Sequence, residues 1–274
     1  MSSLEKVQQN LRILRMPTAV QVVGDLFAIA SRETWTFEAF LGELLEQEME
    51  GRLQRRLERL QKASHLPAGK TLANFDQENL PLQLRRQLTQ LCTGEFVGRS
   101  ENLLVFGLPG RGKTHFAAAV GHQLVQVGHS VLFTPTYRLV DELLRAKRDL
   151  MLEHELRRLD TYEVLILDDI GYVQQSRDEM EVLFTLLAER YERRSVIITS
   201  NLVFSQWEQI FKDPMTTTAA IDRVVHHSVI VEFGKEIPRH RAKEAVQRSQ
   251  QHLPKQKRLG NAMPHANLVC HSQW

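Results

Sequence analysis

The spacing of apolar residues divides the chain into two regions with different periods. Up to about residue 75 the period is helical. Leu4, Val7, Leu11 and Leu14 recur at three- and four-residue intervals until Met16-Pro17 interrupts them. A second run, from about Val20 to Ser31, carries Val22, Val23, Leu26, Phe27 and Ile29. A third predicts a helix from about Thr36 to Lys62, striped by Phe37, Phe40, Leu41, Leu44, Leu45, Leu53, Leu57 and Leu60. His65-Leu66-Pro67-Ala68-Gly69 reads as a loop, and a connecting helix is expected over Leu82 to Leu91. From about residue 100, short apolar runs alternate with helical stretches: Asn102–Phe106, Ser130–Phe133, Val164–Leu167, Val196–Thr199 and Val229–Phe233. Uninterrupted apolar strands separated by helices predict a parallel sheet covered on both faces. After about Ala245 the chain is polar and aperiodic, so residues 246–274 are expected to be disordered. The expected division is a helical domain over 1–75, an α/β domain over 76–245 and a tail. No internal repeat is visible.

Composition changes this picture little. Hydrophobic residues make up 42% of the 274 positions and charged ones 25%, ordinary for a water-soluble globular chain. The formal net charge of +2 is too small to name a partner, so any nucleic-acid surface must come from local clustering. Two cysteines, Cys92 and Cys270, have no metal-ligand spacing and make no disulfide framework. His115, His226 and His227 form no zinc pattern either. No eighteen apolar residues run together and the N-terminal stretch lacks a signal-type apolar core, so a cytoplasmic protein with no membrane contact is expected.

The chemistry is concentrated at strand ends. Gly107-Leu108-Pro109-Gly110-Arg111-Gly112-Lys113-Thr114 fits G-x-x-x-x-G-K-[ST] in full, between a strand and a helix that begins at Thr114-His115. The glycines let backbone N–H groups and the helix N-terminus converge on phosphates. Lys113 is placed to reach the β- and γ-phosphates, and the Thr114 hydroxyl to ligate Mg²⁺. Val164-Leu165-Ile166-Leu167-Asp168-Asp169 is a buried strand ending in two carboxylates. Asp168 is the candidate metal-side carboxylate. Asp169 is either the general base for an attacking water or a solvated acid; Asp is one methylene shorter than the Glu most such ATPases carry there. Ile198-Thr199-Ser200-Asn201 ends a further strand in an amide that can orient the lytic water. Asp168-Asp169-Ile170-Gly171 also fits a loose GTPase pattern, but no N/T-K-x-D guanine motif follows, which favours ATP.

In wording and order, these segments resemble the IstB-like ATPases, AAA+ proteins related to the DnaC helicase loader and to DnaA. The resemblance spans roughly residues 4–245. It rests on GLPGRGKTHFAAAVG, VLILDDIGY, VIITSN, AAIDRVVHH and the helical segment ending in QRRLERLQKASHLPAGKTLANFD. It implies an AAA+ core with a five-stranded parallel sheet preceded by a small all-helical domain. It further implies an ATPase that assembles as a homo-oligomer on duplex DNA and helps an IstA-type transposase use its target site. Arg223 is then the candidate arginine finger completing a neighbouring subunit's site, though from the residues alone it serves equally as a solvated charge. Arg239 falls at a sensor-like position near the nucleotide. Two other functions stay open: a helicase loader whose N-terminal helices grip a replicative helicase, and a binding module in which ATP is only a structural switch.

Arg52, Arg55, Arg56, Arg59 and Lys62 lie three or four apart on the third helix and share a face. Such a row can track a phosphate backbone without reading bases, or it can be a solvated face with charge pairs. A second basic stretch, Lys235 to Arg258, holds eight Lys or Arg against two Glu.

Overall fold

The computed structural model describes residues 2–172, 176–202, 224–225 and 227–234. The described residues all belong to one compact unit. The expectations placed on Arg223, Arg239, His226 and the 246–274 tail lie outside the described residues.

Three helices open the chain. α1 (Ser3–Ile13) starts in a capping box, in which Ser2 accepts from the Glu5 N–H and Glu5 accepts from the Ser2 N–H. α2 (Pro17–Glu33) begins at the proline itself, whose fixed φ suits the first helical position, so the break expected at Met16-Pro17 is a turn of minimal length. α3 (Phe37–Ala63) is capped by Thr36 and runs unbroken for 27 residues. Leu11, Ala19, Val23, Leu26 and Leu44 form a small core among the three.

Then follow α4 (Leu82–Leu91), α5 (Glu95–Gly98), β1 (Asn102–Gly107), α6 (Lys113–Gln126), β2 (Val131–Pro135), α7 (Thr136–Arg148) and α8 (Leu152–Asp160). β3 (Val164–Asp168), a 3₁₀ turn at Ile170–Tyr172, α9 (Arg177–Arg190), β4 (Ser195–Ser200) and β5 (Ser228–Phe233) complete the described elements. The sheet is parallel throughout, in the order β2-β3-β4-β1-β5. This bears out the expected five-stranded parallel sheet preceded by helices.

Strand periodicity sorts the side chains onto two faces. Leu103, Val105, Val164, Ile166 and Ile197 point to one side, with α6, α4 and the segment from Leu66 to Leu80. Leu104, Phe106, Leu165, Leu167, Val196 and Ile198 point to the other, with α7, α8 and α9. Both faces are therefore dry, which is why these strands read as continuous apolar runs.

α3 joins the two regions. Its first half packs on α2, whereas Leu60 near its end joins the α/β core. The Phe133 N–H on β2 donates to Ser64 O at 2.8 Å, and Gln61 meets His122 of α6 at 3.3 Å.

Candidate nucleotide site

Parallel strands place all their C-terminal ends on one edge, and the strand order decides which ends are neighbours. β4 lies between β1 and β3. Phe106 pairs with Ser200 and Leu167 with Ile198. At the next position the Thr199 hydroxyl bonds the Asp168 carboxylate, and β1 ends at Gly107 as β4 leads into Asn201. The three separate motifs thus meet at one edge.

The loop after β1 is shaped by its glycines. Gly107 has φ 150°, and a Cβ built there would sit 2.7 Å from Phe233 Cβ and 2.8 Å from Phe233 O, so only glycine lets the loop leave β1 this close to β5. Gly112, with φ 97°, caps α6. The first helical bond is Phe116 N–H to Gly112 O at 2.8 Å, so the N–H groups of Lys113, Thr114 and His115 are those an α-helix leaves for an anion. The Lys113 ammonium is buried and donates to Gly107 O at 2.7 Å and Leu108 O at 3.2 Å. Burial lowers its pKa from the ordinary value, against the opposing pull of Asp169 and Asp168.

Across the edge, Asp168 Oδ1 accepts from the Thr199 hydroxyl at 2.7 Å, and that hydroxyl accepts from the Asp169 N–H at 2.8 Å. The Thr136 hydroxyl, at the start of α7, donates to Asp168 O at 3.0 Å. Asp169 adopts a left-handed backbone, φ 61°, which Asp tolerates better than most residues. Its carboxyl is half-buried. Burial raises its pKa, the neighbouring Asp168 adds to this, and Lys113 opposes it. Asn201 packs its amide against Gly171, where a Cβ would lie only 2.2 Å from Asn201 Oδ1.

Buried polar atoms without a hydrogen-bond partner are rare in folded proteins. Among the described residues, Arg111 Nε, Asp169 Oδ1 and Asn201 Oδ1 are three of the five such side-chain atoms. All three belong to the strand-end motifs, the pattern expected where polar groups are set to meet a ligand. The donors suit Mg²⁺: one hydroxyl from Thr114 and one carboxylate from Asp168, both hard oxygens, with the remaining positions left to phosphate and water. Among the described residues no group of three or more His, Cys, Asp or Glu side chains comes together.

His115 follows the loop, but its side chain faces elsewhere. Its Nε2 meets Thr71 O at 3.0 Å, and its ring packs edge-on against Phe75 with centroids 5.0 Å apart. Only its backbone N–H stays with the phosphate loop.

The scan against family models matches the IstB-like ATP-binding protein family over residues 9–246. The chain belongs to this family. Among relatives, it is 42% identical over 233 residues to a Sinorhizobium fredii protein named as an insertion-sequence ATP-binding protein, covering 85% of this chain and 78% of the other. A Pseudomonas aeruginosa protein named for insertion sequence IS21 and ATP binding is 40% identical over 233 residues, covering 85% and 88%. A Geobacillus stearothermophilus counterpart from IS5376 is 34% identical over 246 residues, covering 90% and 98%. Among solved structures, DnaI has a TM-score of 0.51 at 21% identity over 62% of this chain and 95% of its own. The DnaC helicase loader scores 0.50 at 18% identity, covering 60% and 97%. Domain III of Thermotoga maritima DnaA scores 0.53 at 16% identity, covering 70% and 79%. At such identities the likeness is one of fold: the α/β core is built like those of DnaI, the DnaC loader and DnaA domain III.

The basic row of α3 is only partly what its spacing suggested. Glu48 is buried on the same helix, and its Oε2 accepts from the Thr18 and Ala19 N–H groups at 2.9 and 3.0 Å. Arg52 and Arg55 both reach Glu48 Oε1, at 2.8 and 3.2 Å, while keeping 55% and 42% of their side-chain surface exposed. Arg56 donates to Gly128 O at 3.1 Å and Arg59 to Arg55 O at 3.3 Å; both are exposed, as is Lys62. Among the described residues no helix is long and apolar enough to cross a membrane.

Sequence reasoning passed over Thr199, Gly171, Thr136 and Glu48. Thr199 had a signal, since it stands two residues before Asn201 at a strand end opposite Asp168. The capping role of Glu48 had none, because the Thr18 and Ala19 N–H groups it accepts from lie about thirty residues away.

Proposed function

We propose that this chain is an ATP-hydrolysing AAA+ protein that assembles on duplex DNA and helps an insertion-sequence transposase use its target. The observation that carries the reading is the meeting of Lys113, Asp168, Asp169 and Asn201 at the edge spanned by β1, β4 and β3. Lys113 and the first N–H groups of α6 hold the phosphates. Thr114 and Asp168 would hold Mg²⁺, which would supply positive charge against the phosphoryl oxygens. Asp169, whose proton affinity is raised by burial, takes the proton of the attacking water, and Asn201 orients that water. Arg223 completes the site of a neighbouring copy, and Arg239 belongs beside the nucleotide of its own copy. ATP sites between subunits make assembly depend on ATP.

The exposed edges of Arg52 and Arg55, with Arg56, Arg59 and Lys62, meet DNA phosphates without reading sequence. The helices of 1–75 serve DNA, partner or subunit contacts, and 76–245 is the ATPase domain. Support for transposition over helicase loading comes from two relatives, 42% and 40% identical and both named for insertion sequences, against 18% for the DnaC loader. The experiment is sedimentation with duplex DNA in the presence and absence of ATP, using wild type and Lys113→Ala. ATP-dependent assembly by wild type and none by the variant is expected; nucleotide binding undiminished in Lys113→Ala refutes the site.

A further inference from the structure

We propose that Thr199 is a positioning residue of the nucleotide site, its buried hydroxyl holding Asp168 and the backbone of Asp169 in the arrangement that Mg²⁺ and ATP require. This rests on reading the strand-end edge as a Mg²⁺-dependent ATP site. Thr199 is 1% exposed near the end of β4, one residue past the Ile198–Leu167 pair and within hydrogen-bond distance of Asp168. Two bonds meet at its single oxygen. A backbone N–H can only donate, so the 2.8 Å contact with Asp169 N makes the oxygen an acceptor there and turns the hydroxyl proton to Asp168 Oδ1, 2.7 Å away. No solvent-driven rotation of this buried hydroxyl competes with that arrangement.

Two consequences follow. Asp168 Oδ1 is committed to Thr199, which fixes the carboxylate rotamer and directs Oδ2 to the metal side. The N–H of Asp169 is anchored by Thr199 while its backbone is in a left-handed conformation, φ 61°. The Thr136 hydroxyl at the start of α7 holds the backbone carbonyl of Asp168, so Thr199 on β4 bonds the carboxylate while α7 bonds the main chain of the same residue. Val or Ile would satisfy the apolar strand at 199 equally well, and Val196, Ile197 and Ile198 precede it. A hydroxyl at this one position serves the two acids.

Partners behind a metal ligand commonly alter metal affinity by about 10–100-fold when removed. Thr199→Ser and Thr199→Ala, made in the full chain, differ by one oxygen atom, and Thr199→Val keeps the volume while removing the hydroxyl. The readout is the affinity for a fluorescent ATP analogue titrated with Mg²⁺, alongside a thermal melt. Nucleotide binding without Mg²⁺ should match wild type in all three variants. The Mg²⁺ concentration giving half-maximal tightening should rise at least about tenfold in Thr199→Ala and Thr199→Val and return to near wild type in Thr199→Ser. Unchanged Mg²⁺ dependence in Thr199→Ala overturns the proposal, as does equal impairment in Thr199→Ser. Should Thr199→Val fail to fold, the Ser and Ala pair decides alone. A wild-type protein whose nucleotide affinity ignores Mg²⁺ overturns the underlying site reading and the proposal with it.

Discussion

Replacing Glu48 by alanine should loosen the N-terminal helices far more than an ordinary helical glutamate would. α2 has no side-chain cap of its own: Met16 precedes Pro17 and offers no acceptor. Glu48, projecting from α3, serves instead, bonding the Thr18 and Ala19 N–H groups while Arg52 and Arg55 hold its other oxygen. Losing a capping acceptor costs about 0.5–2 kcal/mol. The two ion pairs add at most about 1 kcal/mol each, because both arginines keep substantial solvent contact. The buried methylene removed contributes about 0.8 kcal/mol more. The sum is about 1–5 kcal/mol, measurable by urea denaturation followed at 222 nm. Glu48→Gln retains an acceptor and should fall between.

Acid gives an independent check. The buried carboxyl resists ionisation, but its bonds from Arg52, Ala19 and Thr18 outweigh that and leave its pKa below 4.5. A depressed folded-state pKa means the unfolded chain takes up the proton first. The contribution is therefore complete above about pH 4.5 and is lost as pH falls through the folded value. Wild type should lose this increment in that window, and Glu48→Gln should not. A Glu48→Ala variant within about 0.5 kcal/mol of wild type, or equal acid sensitivity in Glu48→Gln, refutes the reasoning.

Gly171→Ala should displace the Asn201 amide, since the added carbon would lie 2.2 Å from its oxygen. ATP turnover should drop at least about tenfold with nucleotide affinity changed only a few-fold, as steady-state assays and fluorescent-nucleotide titration will read. Arg190 is almost fully buried, pulled down to about 10 by burial, and donates to the carbonyls of Leu159, Tyr162, Glu163 and Ser195 at the start of β3 and β4. Arg190→Met leaves several of these acceptors unpaired and should cost about 3–5 kcal/mol in chemical denaturation, with Arg190→Lys recovering only part.

Most of the fold was legible because its signals are local. Five apolar runs bounded by turns gave the strands, and the phosphate loop could be read from eight consecutive residues. Helix ends were legible to within a few residues, since Ser2, Thr36 and Pro17 act on their immediate neighbours. The basic row on α3 was legible as a row, but its commitments were not. Whether an arginine faces solvent or a buried carboxylate depends on what packs beside it, and Thr18 comes to Arg55 at 2.7 Å only when α2 folds back along α3.

The sequence by itself determined that this chain carries a phosphate loop, two acids at one strand end and an asparagine at another. Those choices are chemical and sit within short segments. Tertiary structure alone decided that β4 inserts between β1 and β3, because strand order is set by packing of the connecting helices on both faces rather than by any one strand's residues. That insertion pairs Phe106 with Ser200, at the strand ends before Gly107 and Asn201, and places Thr199 within bonding distance of both Asp168 and Asp169. A hydroxyl that reads locally as one more β-branched residue in a strand becomes, through that neighbourhood, the contact on which two acids depend.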